Sequence, residues 1–294
     1  MSPRAAGVVL IAVSAASFGA MAVFARLAYD DGADVTAVLF LRFAIAAPLM
    51  ALLMRLRGLA WPRGRLLAGL AAMGGLGYVG QSLSFFTALT KASASLVALL
   101  LYAYPAIVTV LSVLVLGERL TRPRVAALGV ALAGAVLTIG PELSGEPLGV
   151  VLGASAAVIY SAYILVGSRL TPRSGALPAS AVIMAAAAAV YAGVVAVQRP
   201  AFPATAGSWA AVVAIALVST VVAITTFFAG MARLGPTDAS TLSTLEPVVT
   251  VVLAALVLDE RLSAAQLVGG LLILAAVVVL ARAPLDRAAA PVAP

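Results

Sequence analysis

The sequence predicts an all-α polytopic membrane protein with ten transmembrane helices, laid out as two inverted five-helix repeats. Three observations carry this prediction: an extreme composition, the regular return of apolar stretches long enough to cross a bilayer, and a single displacement that maps one half onto the other. Of 294 residues, 64% are apolar and 10% charged, with a mean hydropathy of +1.16. Soluble domains run about 45–50% apolar and about 25% charged. Apolar stretches of about 20 residues recur from residue 5 to residue 281 with connections of only a few residues, so no water-soluble domain fits between them.

The elements follow in order. Spans are expected at 5–28, 34–54, 66–90, 94–116 and 124–140, then at 148–167, 176–197, 208–231, 237–258 and 264–281. Turn and breaker residues separate them: DDGAD after the first, PELSGEP after the fifth, TPRSG after the sixth, RPAFPATAGS after the seventh and LGPT after the eighth. The N-terminal run from Arg4 to Ala15 imitates a secretory signal with a small-residue cleavage site. It is read instead as the first span, because its GVVL at 7–10 returns as GVVL at 149–152.

That return is the internal repeat. The same displacement of 142 residues places Phe85 and Phe86 on Phe227 and Phe228, Pro105 on Pro247, and the run Leu116, Glu118, Arg119, Leu120 on Leu258, Glu260, Arg261, Leu262. Residues 1–147 and 148–294 are therefore expected to form two five-helix units. Five spans per unit is odd, so the second unit enters the membrane from the opposite side and the repeats are inverted, with a pseudo-two-fold axis in the membrane plane.

Charge position then sets an orientation. With the N-terminus cytoplasmic, the inner loops and ends hold 13 of the cations and the outer ones only Arg26, Lys91, Arg199 and Arg261. The acids Asp30, Asp31, Asp34, Glu142, Glu146, Asp259 and Glu260 fall outside. This is a strong positive-inside bias, so an inner membrane location with both termini cytoplasmic is expected. The net charge of +7 is spent on topology, and nucleic acid is not expected as a partner.

Several functional classes are excluded by what the chain lacks. With no Cys and no His, it cannot build a disulfide, a thiolate nucleophile, a His general base or a Cys/His metal site. No GxxxxGK[ST] run is present for ATP binding. Neither metal nor cofactor is expected, and an enzyme is not. The alternatives from another class are an integral membrane enzyme acting on lipid, which would need clustered acids or a metal site, and a channel, although nothing resembles a filter.

Each half closes on a proline followed by a short charged signature: YPAIVTVLSVLVLGERL at 104–120 and EPVVTVVLAALVLDERL at 246–262. With FLRF at 40–43, these resemble the EamA repeats of the drug/metabolite transporter superfamily, over nearly the whole chain. The resemblance implies a secondary transporter with a central cavity lined by helices 1–4 and 6–9, with helices 5 and 10 at the periphery. It implies a small organic cargo, an amino acid or derivative among the candidates, moved mostly outward. Uptake or facilitated diffusion by the same architecture is the alternative. The first span has no acidic residue, unlike the small multidrug branch, and a single buried cation speaks against phosphorylated cargo.

Glu246 and Arg42 are the foremost candidates for the site. Glu246 lies near mid-membrane, about ten residues from the inner end of the ninth span, and Arg42 about 12 Å below the outer end of the second. Ionisable side chains at such depth face protein or water and are functional candidates. A guanidinium there suits a carboxylate, and a carboxylate suits an ammonium, so a zwitterion could engage both, with protons on Glu246 as the candidate coupling ion. Against this stands a snorkelling Arg42 and a structural glutamate. Gln81 and Tyr78 share one helix face, and Tyr102, Tyr104, Phe18, Tyr160 and Tyr163 add aromatic surface with polar tips. Pro105 and Pro247 are expected to kink their spans. Two symmetry-related ion pairs, Lys91 with Glu260 and Arg233 with Glu118, are expected to close the two ends in turn. Glycines 69, 74, 77 and 80, and Gly129 with Ala133, are expected at close helix contacts. The lipid bilayer is the other expected partner, and the oligomeric state is left open.

Overall fold

A computed structural model describes residues 2–29, 32–140, 144–257 and 262–282. Ten helices long and apolar enough to span a bilayer account for them: α1 Pro3–Tyr29, α2 Val35–Leu56, α3 Gly64–Leu89, α4 Leu96–Leu116, α5 Arg122–Ile139, α6 Pro147–Ser174, α7 Ala176–Gln198, α8 Ala206–Leu234, α9 Pro236–Val257 and α10 Ala264–Arg282. Among the described residues the only β-type pairing is an isolated antiparallel bridge between Ala92 and Gly145. Every backbone donor in a span must bond within the chain, because lipid offers no partner, and helices meet that demand. The outer surface confirms the solvent: Leu76, Leu114, Val197 and Leu256 are each at least 75% exposed. Side chains of that kind facing outward in such number belong in hydrocarbon.

The packing obeys the inverted repeat. α1 packs on α8 and α9, and its counterpart α6 packs on α3 and α4, while α2 meets α7 and α5 meets α10. Exchanging the halves leaves this set of contacts unchanged. The successive helices alternate in direction, so one end of the bundle carries the start of α1 and the end of α10, here the N-terminal end, and the opposite end is the far end.

Small residues bring helices together, partly where expected. A Cβ on Gly69 would meet Leu170, one on Gly74 would collide with the Ile183 backbone, and one on Gly77 would touch Tyr163. Gly80 and Gly129 face open space instead. At the α5–α10 contact the close approach is made by Gly134, whose Cβ would lie 2.7 Å from the Gly269 carbonyl, because that residue and not Gly129 turns toward α10.

The sixth span outruns its expected end at residue 167. Pro172 is accommodated in its last turn, and the helix stops only at Gly175, whose φ of +86° favours glycine. The larger departure concerns α4 and α9, which are interrupted rather than merely kinked. α4 breaks at Tyr102 and resumes at Tyr104, and α9 breaks at Ser243 and resumes at Leu245. Each proline stands in the first turn of the resumed segment, where its missing N–H costs nothing. Short turns and side chains take up the carbonyls left open at the breaks: Tyr102 N–H donates to Ala98 O at 2.8 Å and Thr244 Oγ1 to Thr241 O at 2.7 Å. α3 and α8 carry a second shared irregularity, π-helical stretches at Met73–Tyr78 and Leu217–Val222.

Candidate functional site

The two helix breaks and the π-helical stretch of α3 border one cavity, and the π-helical stretch of α8 reaches it through Arg42. Phe18, Met21, Arg42, Tyr78, Gln81, Ser82, Phe85, Phe86, Leu101, Tyr102, Tyr104, Tyr160 and Glu246 line it. Eight of the nine residues expected to bind substrate are thus brought together. Tyr163 is the exception: it lies behind the wall, 6.0 Å from Tyr160 in a stacked pair and 6.0 Å from Tyr78 edge to face, and supports both rings.

Glu246 is delivered by the break in α9. Gly19 on α1 allows the close approach that seats it, since a Cβ there would lie 2.6 Å from the Glu246 carbonyl oxygen. Thr250 Oγ1 bridges the same two helices, 3.0 Å from Gly19 O and 3.1 Å from Glu246 O. The Tyr102 hydroxyl, from the break in α4, is directed at the Glu246 carboxylate. Tyr104 and Tyr160 pack beside it with ring centroids 4.8 Å apart.

Arg42 does not snorkel. It is 2% exposed, and its Nε donates to Thr220 Oγ1 at 2.9 Å while Nη2 donates to the Ser219 carbonyl at 3.1 Å. Both acceptors belong to the π-helical stretch of α8, where the widened turn leaves a carbonyl free to accept from a side chain. The guanidinium also lies 4.8 Å from the Phe43 ring centroid and 5.6 Å from that of Tyr78, positions favourable for a cation over an aromatic face. Among the described residues no carboxylate pairs with Arg42 and no cation with Glu246. A direct Arg42–Glu246 ion pair is therefore not made, although both charges face one cavity.

The repeat relation shows how a symmetric scaffold makes an asymmetric site. Shifting by 142 residues puts Met184 at the counterpart of Arg42 and Tyr104 at that of Glu246, with Phe18 opposite Tyr160 and Met21 opposite Tyr163. Each half contributes one charge that the other lacks.

Of the two expected end-closing pairs, Lys91 with Glu260 falls outside the described residues, while Arg233 and Glu118 take other partners. Lys91 Nζ pairs with Glu146 at 3.5 Å, and Glu260 lies outside the described residues. Arg233 Nη1 donates to the Ala229 carbonyl at 2.5 Å, one turn back on its own helix, while Glu118 accepts from Thr237 Oγ1 at 2.5 Å. Arg233 is exposed and satisfied locally, so it does not reach across. The acid that matters at the N-terminal end was missed in the sequence: Asp238, 1% exposed, is held by Arg4 and Arg124. Its presence inside the apolar window of the ninth span was the available signal. Thr220 and Ser219 were also missed, since nothing in an apolar run marks a π-helical stretch.

Comparison with known proteins agrees with this architecture. The model of the EamA-like transporter family matches residues 5–140 and again 147–282. An uncharacterized transporter of Archaeoglobus fulgidus is 30% identical over 276 residues, covering 93% of this chain and 95% of its own length. The uncharacterized transporter YcbK of Bacillus subtilis is 26% identical over 287 residues, covering 90% and 89%. One solved crystal structure shares the fold, with a TM-score of 0.82 at 23% identity over 94% of this chain and 98% of its own. A doubled family match placed on the two structural repeats, together with ten membrane helices around one cavity, leaves one conclusion: the chain belongs to the EamA-like transporter family and is a membrane transporter.

Proposed function

We propose that this transporter exports a small zwitterionic metabolite, an amino acid or a derivative, across a bacterial inner membrane by alternating access, with its N-terminal end in the cytoplasm. The observation that carries the reading is the pair of opposite charges in one cavity, Arg42 from the first half and Glu246 from the second, neither with a counter-charge among the described residues. A charge in a low-dielectric site is costly until something of opposite sign arrives. A zwitterion satisfies both, its carboxylate on the planar guanidinium and its ammonium on Glu246 beside the Tyr102, Tyr104 and Tyr160 rings. A proton taken up by Glu246 removes the attraction for the ammonium, so protons are the coupling ion in this scheme.

Efflux from proteoliposomes with a panel of amino acids and deaminated or decarboxylated analogues tests it. Zwitterions are expected to be carried in preference to either analogue. Glu246→Gln and Arg42→Gln are each expected to fold and insert yet lower transport at least about tenfold, equivalent to about 1.4 kcal/mol of lost recognition. Normal transport by both variants would sink the reading and leave the substrate held by neutral contacts.

A further inference from the structure

The charged cluster at the N-terminal end lies outside the cavity and is not needed to bind a substrate. Asp238 stands in the first turn of α9, and Arg124, in the first turn of α5, donates from Nη2 to Oδ2 at 3.3 Å, with Nε in ion-pair contact 3.0 Å from Oδ1. Arg4, in the first turn of α1, reaches Oδ2 at 3.1 Å and also donates to the Leu280 carbonyl near the end of α10. Four helix ends are joined in this way, two from each repeat. All three residues are at least nine-tenths withdrawn from solvent.

Among the described residues the repeat does not copy this cluster at the far end. The repeat counterpart of Arg4 is Glu146, whose pair with Lys91 spans 3.5 Å between side chains 62% and 40% exposed. Gln266 stands at the counterpart of Arg124 and Leu96 at that of Asp238. An exposed lysine–carboxylate pair holds an interface weakly, whereas a buried carboxylate that accepts from two arginines through Oδ2 cannot lose a partner without stranding charge in a dry site. The cavity is displaced to match. Arg42 lies closer to Val35 than to Leu56, and Gln81 to Phe86 lie toward the Leu89 end of α3, so the cavity occupies the far half of the bundle. Between it and the cluster lie Ile11, Tyr163, Phe228, Met231, Leu234, Ala239 and Leu242, all at most 6% exposed.

We propose that Arg4, Asp238 and Arg124 form a lock that holds the N-terminal end shut while the cavity faces the far end, and that each transport cycle breaks and remakes it. The lock joins the first repeat to the second, so rocking one repeat against the other separates its members. Its charges are stable in two conditions, paired when dry and apart when hydrated. That makes it a two-state element rather than a continuously yielding contact. These residues position the helices and do not touch the cargo. The proposal rests on the alternating-access reading and not on the nature of the substrate.

The test uses accessibility measured without substrate, so its outcome is separate from any failure to transport zwitterions. The chain has no native cysteine, and single cysteines replace Leu242, between lock and cavity, and Met21, on the cavity wall. Maleimide is expected to modify Met21→Cys readily and Leu242→Cys slowly. Adding Asp238→Asn is expected to speed Leu242→Cys at least about tenfold and to slow Met21→Cys, as the population shifts toward opening at the N-terminal end. Arg4→Gln is expected to move both rates in the same directions, and Arg4→Lys, which keeps the charge but not the planar fork, to move them in those directions by less than Arg4→Gln does. A merely structural role would raise both rates together through general loosening, and that result, or no change in either rate, overturns the proposal. If Asp238→Asn is not recovered folded, Arg124→Gln is read by the same criteria. Failure of Asp238→Asn, Arg4→Gln and Arg124→Gln alike to fold would make the cluster structural and also overturn it.

Discussion

Arg42 shows how a single side chain is made functional by what surrounds it. Its neighbours are apolar, yet two oxygens of a π-helical stretch hold Nε and Nη2 and fix the fork in the cavity wall. A hydrogen bond to a charged group contributes roughly 1.5–3 kcal/mol, and part of that is shared with the second acceptor. Thr220→Val keeps the shape and removes the acceptor of Nε. We expect it to raise the KM for substrate about fivefold with kcat within about twofold, because a misplaced guanidinium loses binding before it loses the cycle. An unchanged KM in transport assays would show that Ser219 alone positions Arg42. The depth of Arg42 was legible in the sequence, but its choice between snorkelling and facing inward was not. That choice depends on Ser219 and Thr220, far along the chain.

At the scale of helices, glycine has two opposite roles within the same bundle. Gly19 permits α1 to touch the break in α9, with the Glu246 carbonyl and Val249 as immediate neighbours, so a methyl group there meets backbone that cannot move aside. Gly129 faces open space on α5. Gly19→Ala is expected to destabilise by about 1–3 kcal/mol through overpacking and to displace Glu246. Gly129→Ala is expected to be neutral or to stabilise by up to about 1 kcal/mol through helix propensity. Melting temperatures of the two variants in detergent check this, and equal shifts would refute the assigned contacts. The broken helices belong to this scale too. A proline in a span predicts an irregularity, but whether the chain bends or stops depends on what takes up the carbonyls left open, as Thr244 does for Thr241.

For the whole molecule, orientation is the outstanding property, and the arginine distribution fixes an expectation for it. Inner placement of the loop between α2 and α3, and outer placement of the loop between α7 and α8, follow from the positive-inside bias. A cysteine at Leu59 is expected to react with an impermeant maleimide only from inside, and one at Ala204 only from outside, in intact cells and inverted vesicles. Labelling of Leu59→Cys from outside intact cells would reverse the topology and with it the direction of the proposed export.

Ten spans, their inverted repetition and the depth of Glu246 and Arg42 were determined by the sequence alone. Each depends on hydropathy summed over a window, or on a pattern copied along the chain, and neither needs a fold to be read. The tertiary structure decided which polar groups meet. It placed Arg42 on Thr220, Glu246 against Gly19 and Tyr102, and Asp238 between Arg4 and Arg124, and it gave Arg233 a carbonyl of its own helix in place of Glu118. Such pairings depend on how each helix is rotated about its own axis. In lipid that rotation is set by close packing of small residues between segments distant in sequence, because an apolar surface looks the same to hydrocarbon from every side.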